Sequence, residues 1–131
     1  MQDFRQLLVW KRAHAFALNV RRAAQVLPRV GYTDLKSQMT RAAQSIVDNI
    51  VEGCGAASRL EFARYLDISV KSTSEVDYQL EFARDLGVIP HDVWTPLARE
   101  VIQLHHEDSD PRDRQCPNSY DAPEAQVPGL P

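Results

Sequence analysis

His105-His106-Glu107-Asp108 is the densest run of metal-ligand side chains in the sequence, and its spacing argues against a metal. Neighbouring helical positions diverge by ~100°, whereas a two-histidine zinc face needs its ligands at i and i+4. The run reads as a solvated helix end. His14 reads as a surface or interface residue and His91 as a loop residue. Serine, histidine and aspartate are all present, yet no Gly-x-Ser-x-Gly elbow or comparable setting activates a nucleophile. Glu52, Glu61 and Glu75 raise the idea of a di-metal bundle site. Such sites take a Glu-x-x-His pair from each of two helices, and the sequence contains no such pair. No cofactor and no metal are implied, so catalysis has nothing to start from.

The basic residues offer a second chemistry. Lys11 and Arg22 fall within ~20° of each other on a helix, with Arg5 and Arg12 on a neighbouring row, so the first helix could touch phosphates. A solvated charged face is the competing reading. Residues 1–106 hold 13 Lys/Arg against 12 Asp/Glu, and residues 107–131 hold 2 against 6. The folded part is therefore nearly neutral, without the strongly basic field usual for nucleic-acid binders.

The elements that position these groups are helices. The first is expected over about 5–27, closed by Pro28 and Gly31, with Val9, Ala13, Phe16, Val20, Ala24 and Leu27 on one stripe. Leu7, Trp10, His14, Ala17 and Leu18 form a second, looser apolar band. The next helix is expected over 34–53, capped by Thr33 or Asp34, with Leu35, Met39, Ala42, Ala43, Ile46 and Ile50 inward. A third, over 58–86, faces the core with Phe62, Leu66, Ser69, Thr73, Val76, Leu80 and Ala83. Its middle is small and weakly polar, so a neighbour must approach closely there. It too has a second apolar side: Ile68, Tyr78, Phe82 and Leu86. Leu60-Glu61-Phe62-Ala63-Arg64 recurs as Leu80-Glu81-Phe82-Ala83-Arg84, but twenty residues rotate the copies by ~200°, so this is no structural repeat. The fourth helix, over 91–106, presents Val93, Leu97, Val101 and Leu104; either Thr95 caps it with Pro96 first, or a helix begun near His91 is kinked at Pro96.

The turn between the second and third helices is written out residue by residue. Ser58-Arg59-Leu60-Glu61 is a capping box, in which Ser58 accepts the Glu61 N–H and Glu61 reaches back to the Ser58 N–H. Gly53 and Gly55 are expected to end the preceding helix in left-handed backbone angles. Asn49, beside Glu52, is expected to satisfy backbone groups at this turn.

These features predict an all-α, antiparallel up-down four-helix bundle over 1–106, followed by an irregular tail over 107–131 that holds five of the chain's eight prolines. There is no membrane-length apolar run and no signal-peptide pattern, so a cytoplasmic protein is expected. Cys54 and Cys116 are too sparse for a disulfide framework.

Val9-Trp10-Lys11-Arg12-Ala13-His14, Ser37-Gln38-Met39-Thr40-Arg41-Ala42-Ala43-Gln44-Ser45-Ile46, Asn49-Ile50-Val51-Glu52-Gly53, Glu61-Phe62, Gln79-Leu80 and Asp85-Leu86-Gly87 resemble the bacterial four-helix-bundle family. It is also called the 23S rRNA intervening-sequence protein family, and the likeness covers about residues 4–105. The resemblance implies a ring-like homopentamer with no established enzymatic activity. The chain is also similar to the accessory protein of diversity-generating retroelements, a basic pentameric bundle that works with a reverse transcriptase and nucleic acid. It departs from relatives in having Ala56-Ala57 where basic residues are common after the hairpin glycine, and Lys71 where many have glycine.

The expected function is a non-catalytic homo-oligomeric scaffold. The alternative is RNA or DNA binding by Lys11, Arg12 and Arg22, multiplied around the ring. Leu7, Trp10, His14, Leu18, Ile68, Phe82 and Leu86 are the expected self-association residues, because uncovered they would expose more apolar surface than monomers usually carry.

Overall fold

Apolar residues spaced by threes and fours become four helices in the computed structural model, which describes residues 3–110. They are α1 (Leu8–Val26), α2 (Thr33–Cys54), α3 (Arg59–Asp85) and α4 (His91–Ser109). Each packs on the next and α4 returns to α1, giving an antiparallel four-helix bundle. Among the described residues all regular structure is helical. The expected inward stripes of the first three helices are buried at every position, as are Leu97, Val101 and Leu104 of α4, while Val93 is half-buried. The near-repeat is split between faces: Phe62 and Leu80 are buried, whereas Leu60 and Phe82 are exposed. Lys71 is exposed on the outer side of α3, so its long side chain does not disturb the packing.

The helix ends differ in detail from the expectations. A 3-10 turn, Phe4–Gln6, precedes α1, capped by Asp3, whose carboxylate accepts from the Arg5 N–H at 3.0 Å. That bond is the largest influence holding the Asp3 carboxyl below its ordinary pKa. Neither Thr33 nor Asp34 caps α2: Tyr32 is the N-cap, without a side-chain cap bond, and Asp34 lies in the first turn. His91 is the first residue of α4 rather than a loop residue, and Pro96 lies inside that helix. The helix runs through Pro96 without the bond that an N–H there would make to the Asp92 carbonyl.

The hairpin carries the larger corrections. Ser58 Oγ accepts from the Glu61 N–H at 3.2 Å, as a capping box requires. Glu61 Oε2, however, accepts from the Ala57 N–H at 2.9 Å, one residue before the expected donor. Neither Gly53 nor Gly55 is left-handed. Gly55 caps α2 at φ −89°, and Gly53 is a buried helical residue. A Cβ at Gly53 would lie 2.9 Å from Phe62 Cδ2 and 3.2 Å from Tyr65 Cβ, so this glycine permits close packing of α2 on α3. The left-handed cap belongs to α3: Gly87, at φ 71°, donates to the Arg84 carbonyl and Val88 to the Ala83 carbonyl, a Schellman pair. Asn49 turns away from the hairpin, donating to the Ser45 carbonyl at 2.7 Å one turn back in α2.

α4 continues three residues beyond its expected end, to Ser109. Glu107 and Asp108, counted above with the tail, therefore belong to the bundle. The remaining tail, residues 111–131 with Cys116, lies outside the described residues. Among the described residues, no helix is long and apolar enough to cross a membrane.

Candidate functional site

The small, weakly polar middle of α3 is the centre of a polar seam. Ser69 Oγ donates to the Asp108 carboxylate and lies 3.2 Å from the Ile46 carbonyl oxygen, with both Ser69 and Asp108 buried. Ser72 Oγ bonds Ser45 Oγ at 2.8 Å, and Ser45 Oγ also accepts from Asn49 Nδ2 at 3.1 Å. Thr73 Oγ1 is 2.6 Å from the Val70 carbonyl oxygen and 3.0 Å from His105 Nδ1. Arg12 pairs with Glu107 across α1 and α4. Buried polar groups are stable when paired, and this seam ties the last turns of α4 to three other helices.

The seam holds hydroxyl, imidazole and carboxylate groups, but not in the order of a hydrolytic triad. Thr73 has one proton, and when the short bond to Val70 takes it, His105 Nδ1 donates to Thr73 rather than accepting from it. In that arrangement the imidazole is not a base toward the hydroxyl. Ser69 meets a carboxylate and a backbone carbonyl, with no imidazole between. Glu52 and Glu75 are exposed on different helices, and Glu61 is occupied by its backbone bond, so these three carboxylates do not converge. His105 and His106 meet edge-on at 6.3 Å. Among the described residues no three His, Cys, Asp or Glu side chains form a group that could hold a metal.

Asp108 was legible and missed. It continues the inward series Leu97, Val101, Leu104 by four residues, but a carboxylate at the end of a helix looks like tail composition.

The three basic residues named above are not brought together as one free face. Lys11 and Arg22 are both exposed on the outer side of α1, whereas Arg12 is turned to Glu107. Arg22 Nη1 donates to Asn19 Oδ1 at 3.3 Å, and Asn19 in turn bonds Glu100 at 3.4 Å. α1 carries four Lys/Arg and no Asp/Glu, which makes it the basic helix of the bundle.

The expected self-association residues separate into two groups. Leu7 belongs to the chain's own core because the 3-10 turn swings it inward, so it is not a surface residue. Trp10 is half-buried, at 5.0 Å from Phe4 and stacked on exposed His14 at 4.9 Å. Leu18, Ile68, Phe82 and Leu86 are exposed, each between 42% and 47%. The uncovered band on α1 is thus rotated from the expected one: Leu8, Lys11, Ala15, Leu18, Arg22 and Val26 form an outer stripe at spacings of 3, 4, 3, 4 and 4. On α3 the outer stripe runs through Leu60, Ile68, Tyr78, Phe82 and Leu86. Its C-terminal part, residues 75–86, holds four acidic residues and one arginine. The α1 stripe is apolar and basic, whereas the end of α3 is acid-rich. Beside the second stripe, a groove of about 330 Å³ opens between the start of α2 and the end of α3.

Known proteins place this arrangement. The sequence model of the 23S rRNA-intervening sequence protein family matches residues 5–107. A crystal structure of a protein of unknown function from the S23 ribosomal protein family of Bacteroides thetaiotaomicron superposes with a TM-score of 0.72. It is 22% identical, over 77% of this chain and 94% of that one, a likeness that shows the fold. No curated protein matches the chain.

Proposed function

The chain belongs to the 23S rRNA-intervening sequence protein family, and from that premise we propose that it is a non-catalytic scaffold that works as a homo-oligomer. The observation that carries this reading is the pair of outer stripes. Leu8, Leu18 and Val26 on α1, and Leu60, Ile68, Tyr78, Phe82 and Leu86 on α3, are each more than two-fifths exposed. Burying apolar area of this kind is worth about 25 cal/mol per Å² before association costs are paid. The opposite charges of α1 and the end of α3 favour contact between unlike stripes. Unlike stripes make a head-to-tail contact, which closes as a ring when the rotation permits. Five is the ring size that the family resemblance implies. Light scattering across micromolar concentrations is expected to give a mass several times the 14.8 kDa of the chain. A constant 14.8 kDa would reject the reading.

Nucleic-acid binding is the second reading, favoured by the absence of any acidic residue from α1. With Arg12 committed to Glu107, it rests on Lys11 and Arg22 repeated around the assembly. RNA affinity of the full chain should fall as salt rises, and Lys11→Glu should flatten the log–log slope. No binding at low salt, to RNA or duplex DNA, removes this reading.

A further inference from the structure

The groove between α2 and α3 has a composition that specifies a ligand. Its walls include Tyr32, Tyr78, Phe82 and Leu86, and its polar groups include the Asp34 carboxylate and the Gln79 amide. Gln79 is only 8% exposed, and its Oε1, fully buried, finds no hydrogen-bond partner among the described residues. A buried acceptor left unpaired is costly, so a small turn of the Gln79 amide toward a donor entering the groove is favoured. No lysine or arginine lines it. Tyr78 and Phe82, with ring centroids 6.1 Å apart and tilted by 44°, offer aromatic faces, and Asp34 offers a negative charge.

The fitting ligand has donors, a positive charge and a flat face. A guanidinium has all three: five N–H donors, no acceptor, and a plane that stacks on aromatic rings. An ammonium lacks the plane. An anion would be repelled by Asp34 and would leave Gln79 Oε1 unpaired. We infer that this groove is a guanidinium receptor and that its occupant is Arg22 of a second copy, an inference that rests on the self-association proposed above.

Arg22 is singled out by its surroundings. It stands on the outer side of α1 between Leu18 and Val26, at i−4 and i+4, which are 42% and 52% exposed. These aliphatic shoulders would meet Phe82 and Leu86 while the guanidinium enters the groove. Arg12 is held by Glu107, and Lys11 has no planar head. The present Arg22 bond to Asn19, exposed and 3.3 Å long, is cheap to give up. In this arrangement Arg22 is buried between subunits, so it is withdrawn from any nucleic-acid surface.

The test is charge reversal in the full chain, read as the concentration at which half the protein is assembled, with circular dichroism to confirm unchanged helicity. Arg22→Glu and Asp34→Arg should each raise that concentration by roughly a hundredfold or more, since each places like charges together. The double variant, which carries both substitutions and so restores opposite charges across the contact with their signs exchanged, should recover to within about tenfold of the wild type. Arg22→Lys, which keeps the charge and loses the plane, should fall between. If the wild type assembles and Arg22→Glu assembles equally well, or if the double variant does not recover, the groove inference is overturned while self-association stands. If Asp34→Arg alone disrupts assembly, another occupant fills the groove and the inference is equally lost. A wild type that stays monomeric overturns both.

Discussion

Gly53→Ala and Phe62→Ala should each destabilise the bundle, yet Gly53→Ala should cost much less once Phe62 is already alanine. Placed at Gly53, a methyl would press on Phe62 Cδ2 at 2.9 Å and Tyr65 Cβ at 3.2 Å, in a helix contact with no room to give. Overpacking of this kind costs about 1–3 kcal/mol, against a helix-propensity gain of about 1 kcal/mol for alanine over glycine. Phe62, with 1% of its surface exposed, should cost about 3–5 kcal/mol when truncated, because its cavity cannot fully collapse. In the Phe62→Ala background the ring that met the new methyl is gone, and the methyl fills part of the void. The propensity gain then stands against the Tyr65 Cβ contact alone. Urea unfolding of the four proteins should give a coupling of about 1–3 kcal/mol. Additivity within about 0.5 kcal/mol would show that Gly53 is not there to admit Phe62.

Gly53 also shows what sequence reasoning can and cannot reach. Glycine near the end of an apolar run suggests a left-handed cap, because that is a local property of the backbone. The real reason lies across the bundle, in how close α3 comes, and spacing within one helix holds no information about that distance. Where the cause was local, the inference held: the inward stripes, the Ser58 bond to Glu61 and the end of the third helix near residue 86 follow from periodicity and capping chemistry. The small middle of α3 announced a close neighbour without naming it. Asp108 is the neighbour that meets Ser69, and its burial depends on the fourth helix running to Ser109. Leu7 and Leu18 differ for the same kind of reason. A short 3-10 turn before α1 rotates Leu7 inward, while Leu18, on the regular helix, remains outside. The orphaned acceptor of Gln79 was beyond reach altogether, since it is defined by partners that fail to arrive.

Leu18→Glu and Phe82→Glu should each reduce the assembly to single chains, and mixing the two should give a dimer of about 30 kDa, twice the 14.8 kDa chain. Both positions are exposed, at 42% and 44%, so neither change removes a core contact and helicity should be retained. Leu18→Glu spoils the α1 stripe and leaves the α3 stripe intact. Phe82→Glu does the reverse. If α1 of one copy meets α3 of the next, each variant lacks one of the two surfaces that every contact needs. In the mixture a single good contact remains, between α1 of the Phe82→Glu chain and α3 of the Leu18→Glu chain. Growth stops there, because the outward surfaces of that pair are the two spoiled ones. A self-complementary contact behaves differently: were α1 to pair with α1, the Phe82→Glu chain would still dimerise alone, and were α3 to pair with α3, the Leu18→Glu chain would. Light scattering on the two variants and their equimolar mixture therefore separates the contact types. A dimer formed by either variant alone contradicts the head-to-tail arrangement, as does a mixture that stays at 14.8 kDa.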